Sequence, residues 1–123
     1  MMKEKEERNM SFALDDLEEV SLVLKLLGDK TRLTMMKLLE KQECCVCELV
    51  EVFKTSQPSV SQHLRKLKDA GLVKENRKGQ WIFYSINSNS NHNELIQKLM
   101  NFVPSQDHEL EELDKKGLRI SCN

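Results

Sequence analysis

Aromatic residues are scarce in this sequence, with one Trp, one Tyr and four Phe among 123 residues; glycine and proline are scarce too, at four and two. So little glycine leaves no phosphate-cradling loop. No Ser-His-acid arrangement stands out either, and a cysteine with His63 is the only nucleophile–base pair on offer. An enzyme is therefore not expected. No apolar run approaches the roughly 20 residues of a membrane span, so no membrane association is expected. The opening MMKEKEERN is charged and has no apolar signal core. That reading puts the chain in the cytoplasm, where its four cysteines are expected as thiols rather than disulfides.

Net charge is also nearly lacking, at −1, but it is unevenly spread. Between Lys54 and Lys78 seven basic residues face only Asp69 and Glu75, a net +5, so the remainder carries −6. A basic patch on an otherwise acidic molecule is the footprint of a nucleic-acid-binding face, although a solvated helix face can look the same. Hydrophobic residues at 39% and charged residues at 32% give a globular balance for one small domain, which pairing with a second copy would help to stabilise.

Residues 1–11 are polar and expected to be flexible. From Phe12 to Leu27 apolar residues recur at helical spacing through Leu14, Leu17, Val20, Leu24 and Leu27, with Leu22, Val23 and Leu26 in addition. That width predicts a helix buried on more than one side, as a dimer contact requires. Gly28 ends it and Asp29 caps a second helix from Lys30 to about Glu40, with Leu33, Met36 and Leu39 inward. A short third helix is predicted from about Cys45 to Phe53. Ser56 then caps QPSVSQHLRKLKDAG, whose apolar stripe is Val60, Leu64, Leu67 and Ala70 and whose end is Gly71. Leu72–Lys74 and Gln80–Ile86 alternate like strands around a tip at Arg77-Lys78-Gly79. Glu94 to Val103 returns to helical spacing, and Pro104 stops it. Residues 12–103 are thus expected to form the domain, and 104–123 an acidic flexible tail.

Two short helices joined by a tight turn, the second polar and basic, make a helix-turn-helix, and the hairpin adds a wing. The fold class expected is mainly α with a small β-hairpin, in the order α-α-α-α-β-β-α. Ser56, Gln57, Ser59, Ser61, Gln62, His63, Arg65 and Lys66 are candidates for double-stranded DNA contact from the helix, and Arg77, Lys78 and Gln80 from the wing. Gln suits adenine, Ser several base edges, and Arg or Lys guanine or phosphate. His63 reads equally as a polar surface residue.

Cys44, Cys45 and Cys47 crowd into ECCVCEL. They are either idle buried thiols or a soft-ion site, and the clustering favours the site. On a regular helix residues two apart point roughly 200° apart, so Cys45 and Cys47 cannot grip one ion, whereas Cys44 and Cys47 share a face. Engaging all three requires the first turn to unwind, which would disturb the helix supporting the DNA-reading one. Three thiolates without a nearby imidazole suit trivalent arsenite or antimonite best. Cadmium or lead would want a fourth ligand, for which Cys122 is a candidate, either as a ligand from the same or the other subunit or as an incidental tail residue. A thiol redox switch is a further alternative.

The run SQPSVSQHLRKLKDAGLVKENRKGQWIFYSI resembles the recognition helix and wing of the ArsR/SmtB family of metal-sensing repressors. LLGDKTRLTMMKLL resembles that family's first helix junction and second helix, and the likeness extends over about Leu17 to Val103. It implies a winged helix-turn-helix, a homodimer built from first and last helices, and a repressor that leaves operator DNA when its inducer binds, with no permanent cofactor. ECCVCEL is similar to the sensor box of the family's arsenic-responsive branch, Leu-Cys-Val-Cys-Asp-Leu. That maps the box cysteines onto Cys45 and Cys47 and puts Cys44 where the family often has Leu. The same fold sensing cadmium, lead or zinc is the alternative implied. The family's zinc site on the last helix finds Asn87, Asn89, Met100 and Val103 in place of its ligands, and His92 and His108 do not restore the spacing. Glu75-Asn76 replaces one of the commoner wing basics, which predicts a slightly weaker phosphate contact.

Overall fold

The computed structural model describes residues 17–118. Helix α1 spans Leu17–Leu27 and α2 Lys30–Lys41; a two-residue strand β1, Cys44–Cys45, leads into α3, Val46–Phe53. Helix α4 follows at Gln57–Asp69, strands β2 and β3 at Val73–Lys78 and Trp81–Ile86, then α5 at Asn93–Met100 and α6 at Asp107–Lys115. The expected order holds, with β1 and α6 added. No described helix is long and apolar enough to cross a membrane.

Local chemistry sets the boundaries. The Asp29 carboxylate accepts from the Arg32 amide at 3.0 Å and caps α2, as its position before the helix predicts. Ser56 caps α4 by accepting from the Ser59 amide at 3.3 Å. Gly71, at φ +79°, ends α4, and the Leu72 amide reaches back to the Leu67 carbonyl at 3.0 Å. This is the left-handed closure that a residue without Cβ adopts at least cost.

The stripe Val60, Leu64 and Leu67 of α4 is fully buried against Met35, Met36, Leu38 and Leu39 of α2 and Leu49 of α3. Val23 and Leu27 of α1 and Ile96 and Met100 of α5 close the same core. The sheet has the order β1-β3-β2, all antiparallel, with Cys44 opposite Tyr84, Cys45 opposite Phe83 and Lys78 opposite Trp81. That register moves the hairpin tip to Gly79-Gln80. Arg77 and Lys78, expected at the tip, are the last residues of β2.

The expectation of a flexible tail from residue 104 onward is corrected over 107–115. In α6, Leu110 and Leu113 lie on one face and are buried in the core against α3 and α2. Lys41 pairs with Asp107 at 3.5 Å and Lys116 with Glu51 at 3.7 Å. Two leucines three residues apart suffice because the neighbouring helices supply the rest of the apolar surface. Residues 12–16 of the expected first helix, and the polar stretch before them, lie outside the described residues.

Candidate nucleic-acid interface and thiol site

Between α3 and α4 the chain turns through Lys54, at φ +51°, the only non-glycine residue with positive φ among the described residues. This tight turn sets α4 across α3 in the helix-turn-helix arrangement. With Val60, Leu64 and Leu67 turned inward, Gln57, Gln62, Arg65 and Lys66 are exposed on the opposite face, and Ser59, Ser61 and His63 are half-buried beside them. Ser56 is exposed at the N-terminus of α4 while its hydroxyl caps the helix. Arg77 and Gln80 are exposed on the wing.

Two wing residues have partners inside the molecule. Lys78 pairs with Glu43, immediately before β1, and its ammonium lies 5.2 Å from the Phe83 ring centroid. Glu75, expected only to weaken phosphate contact, pairs with Lys68 on α4. The hydrogen bond from Lys68 holds the Glu75 carboxyl below its ordinary range and ties β2 to α4. His63 is also engaged, since its Nδ1 lies 3.1 Å from Nη1 of Arg32 on α2. Sequence reasoning passed over Arg32, because nothing in spacing or composition marks a contact across 31 residues.

The cysteine box sits elsewhere than expected. Cys44 and Cys45 form β1 rather than the start of a helix, and both are buried, while Cys47 on the first turn of α3 is exposed. Adjacent strand residues project to opposite sides, so the helical-wheel pairing of Cys44 with Cys47 does not arise. Cys44 belongs to the core and its thiol donates to the Gln42 carbonyl at 3.6 Å. Cys45 is the N-cap of α3: its Sγ accepts from the Cys47 amide at 3.3 Å, and its own amide donates to Oε1 of the buried Glu48 at 2.7 Å. The pair expected to diverge is thus the pair brought together, because an N-cap residue is not helical and folds its side chain over the first turn. A Glu three residues after the cap is a legible capping-box signal, here with Cys in the place of Ser or Thr.

The Cys47 thiol is pushed up to about 12, by desolvation first, then by its hydrogen bond with the Cys45 thiol and by the negative charge the Cys45 and Glu48 side chains carry when ionised. Cys47 is exposed as a residue while its thiol is hydrogen-bonded with the Cys45 thiol. The direction follows from that setting: the thiol is held protonated.

Among the described residues no three His, Cys, Asp or Glu side chains converge as a ready-made ion site. The structure therefore offers a two-thiol pair, Cys45 and Cys47, with Cys44 turned away, and Cys122 lies outside the described residues. Asn87, where a zinc ligand of the resembled family would fall, donates from Nδ2 to the Gly71 carbonyl at 3.0 Å. His108 is exposed beside Glu109.

Residues 29–75 match the model of the bacterial regulatory protein arsR family. The chain is 44% identical over 66 residues to the arsenic resistance transcriptional regulator ArsR1 of Pseudomonas putida, a match covering 53% of this chain. It spans about half of that relative, 52% of its length. It is 35% identical over 88 residues to the transcriptional repressor SdpR of Bacillus subtilis, covering 72% of this chain and 97% of SdpR. Among solved structures HlyU from Vibrio cholerae superposes with a TM-score of 0.61 at 29% identity, covering 70% of this chain and 92% of HlyU.

Proposed function

The chain belongs to the arsR family of bacterial regulatory proteins, and on that premise we propose that it is a homodimeric DNA-binding repressor released from its operator when the thiols of Cys45 and Cys47 take up trivalent arsenic or antimony. DNA reading by α4 is supported by its polar, basic outer face, with Gln57, Gln62, Arg65 and Lys66 exposed beside Arg77 and Gln80 of the wing. Dimerisation is supported by exposed leucines on α1, where Leu17, Leu22 and Leu24 are 85%, 59% and 48% accessible in the single chain.

The observation that carries the inducer reading is the double role of the Cys45 sulfur. It lies beside the Cys47 thiol and also caps α3. An arsenic or antimony hydroxide condenses with protonated thiols by losing water, so it needs no thiolate in advance, whereas a divalent metal must displace the thiol protons. A Cys47 thiol held protonated favours the first chemistry. Forming the bond turns the Cys45 sulfur away from the Cys47 amide, and α3 loses its N-terminal cap. Helix α3 packs directly on α4, so the change bears on the spacing of the two DNA-reading helices in the dimer. Half-sites about 34–36 Å apart tolerate little of it. The third bond falls to Cys44 after β1 separates from β3, or to Cys122. Inducer binding of this kind acts only through its preference for the uncapped state.

Native mass spectrometry of the reduced protein, mixed in turn with arsenite, antimonite, cadmium and zinc, tests the ligand assignment. One arsenic per chain, absent in Cys45→Ser and Cys47→Ser variants, is expected. Stoichiometric cadmium or zinc with no arsenic would transfer the reading to a divalent-metal sensor, and reductant-reversible oxidation alone to a redox switch.

A further inference from the structure

The Arg32 side chain touches two helices besides its own. Its Nε donates to the Leu26 carbonyl near the end of α1 at 2.8 Å, and its Nη1 meets His63 Nδ1 on α4 at 3.1 Å. Its backbone amide is meanwhile fixed by the Asp29 cap at 3.0 Å. A guanidinium has five N–H donors in a rigid fork and no acceptor. His63 Nδ1 must therefore carry the lone pair in this contact, and the ring proton of the neutral imidazole lies on Nε2.

We infer that Arg32 is a positioning residue for DNA reading: it clamps α4 to the α1–α2 corner through His63 and leaves the Nε2–H of His63 as a donor on the polar face of α4. This rests on the reading of α4 as the DNA-contacting helix, on which Ser59 and Lys66, four residues before and three after His63, share its side. Two consequences separate the role from general stability. In this role Arg32 acts on DNA through His63 and not directly, so its loss lowers affinity for a specific site while the phosphate-driven, salt-dependent affinity for arbitrary duplex is kept. His63 depends on Arg32, so the two losses do not multiply. Lysine does not substitute, because a single ammonium cannot place separate donors at both acceptors.

The test uses the full chain and two labelled duplexes, one from its own promoter and one of scrambled sequence. Arg32→Ala, Arg32→Lys, His63→Ala and the Arg32→Ala/His63→Ala double variant are compared by anisotropy, with the melting temperature of each recorded. Promoter affinity is expected to fall about tenfold in each Arg32 variant, a typical coupling for contacting residues, with scrambled-duplex affinity within about twofold and no further loss on adding His63→Ala. Ring-nitrogen chemical shifts are expected to report the Nε2–H tautomer in the wild type and a mixture in Arg32→Lys, a signature that folding alone would not move. Multiplying losses, equal losses on both duplexes, or an unchanged tautomer in Arg32→Lys would overturn the inference. A wild type that does not prefer its promoter duplex would overturn the DNA-reading premise and the clamp's role with it.

Discussion

At the scale of single residues, the decisive placement is Cys45 at the N-cap of α3. A sulfur is a weak hydrogen-bond acceptor, and here it does the work usually given to a Ser or Thr hydroxyl while lying against a second thiol. The raised Cys47 thiol has two consequences. Alkylation by iodoacetamide at pH 7.5 is expected to run at least about tenfold slower than for an unfolded control, because the thiolate is the nucleophile, and to accelerate well above pH 9. A flat profile matching the control would contradict the desolvated setting. Folding also favours the protonated thiol, so its contribution to stability is complete below the ordinary thiol range and is lost as pH rises toward about 12. A second residue-scale prediction concerns Lys54. At φ +51° after a helix it occupies glycine's preferred place, so Lys54→Gly should stabilise the fold by about 0.5–1 kcal/mol in urea unfolding. The clustering in ECCVCEL was legible without a structure. Which thiols meet was not, because helical-wheel reasoning assumes that the helix has already begun, and it begins one residue after Cys45.

At the scale of elements, α3 connects the thiol pair to the rest of the fold. Its N-terminus joins β1, which pairs with the wing strand β3, and its body packs on α4 and on α6. Helix α4 was readable because it carries its own punctuation, Ser56 and Pro58 at one end and Gly71 at the other; the hairpin was readable from strand alternation and Gly79, but its register was not. Helix α6 was not, since DHELEELDK reads as polar and only the packed partner shows that Leu110 and Leu113 have somewhere to go. Leu113→Ala should cost about 2–3 kcal/mol, the low end for a buried leucine, measured by denaturant unfolding. A loss below half a kilocalorie would mean that α6 is only loosely applied. The Lys68–Glu75 pair joining α4 to the wing is solvent-exposed. With the Glu75 carboxyl held low, the contribution of this pair is present at neutral pH and lost as pH falls through and below the ordinary carboxylate range.

At the scale of the whole molecule, two surfaces differ from the rest. One is the basic face of α4 and the wing, which the acidic remainder of the chain throws into relief. The other is apolar: Leu17 and Leu24, seven residues apart, share one face of α1 and Leu22 lies on another, while Phe102, just beyond α5, is 85% accessible. A lone small domain rarely leaves such residues in water. The extra apolar width of the α1 sequence is seen here as exposed leucines on more than one side of the helix. Leu22→Glu combined with Leu24→Glu is expected to give a monomer by light scattering, with secondary structure retained and promoter binding weakened at least about a hundredfold, because two half-sites are no longer linked. A dimer of unchanged mass would place the interface elsewhere.

In the function proposed above, the capping thiol and its neighbour govern release from DNA. Its most direct test is anisotropy of the reduced protein on a labelled promoter duplex, titrated with arsenite, beside Cys45→Ser and Cys47→Ser. Release of the wild type near one equivalent per chain and retention of both variants on DNA are expected, with Cys45→Ser still capping α3 through its hydroxyl. Release of the variants at the same arsenite concentration, or a wild-type complex indifferent to arsenite, would contradict it.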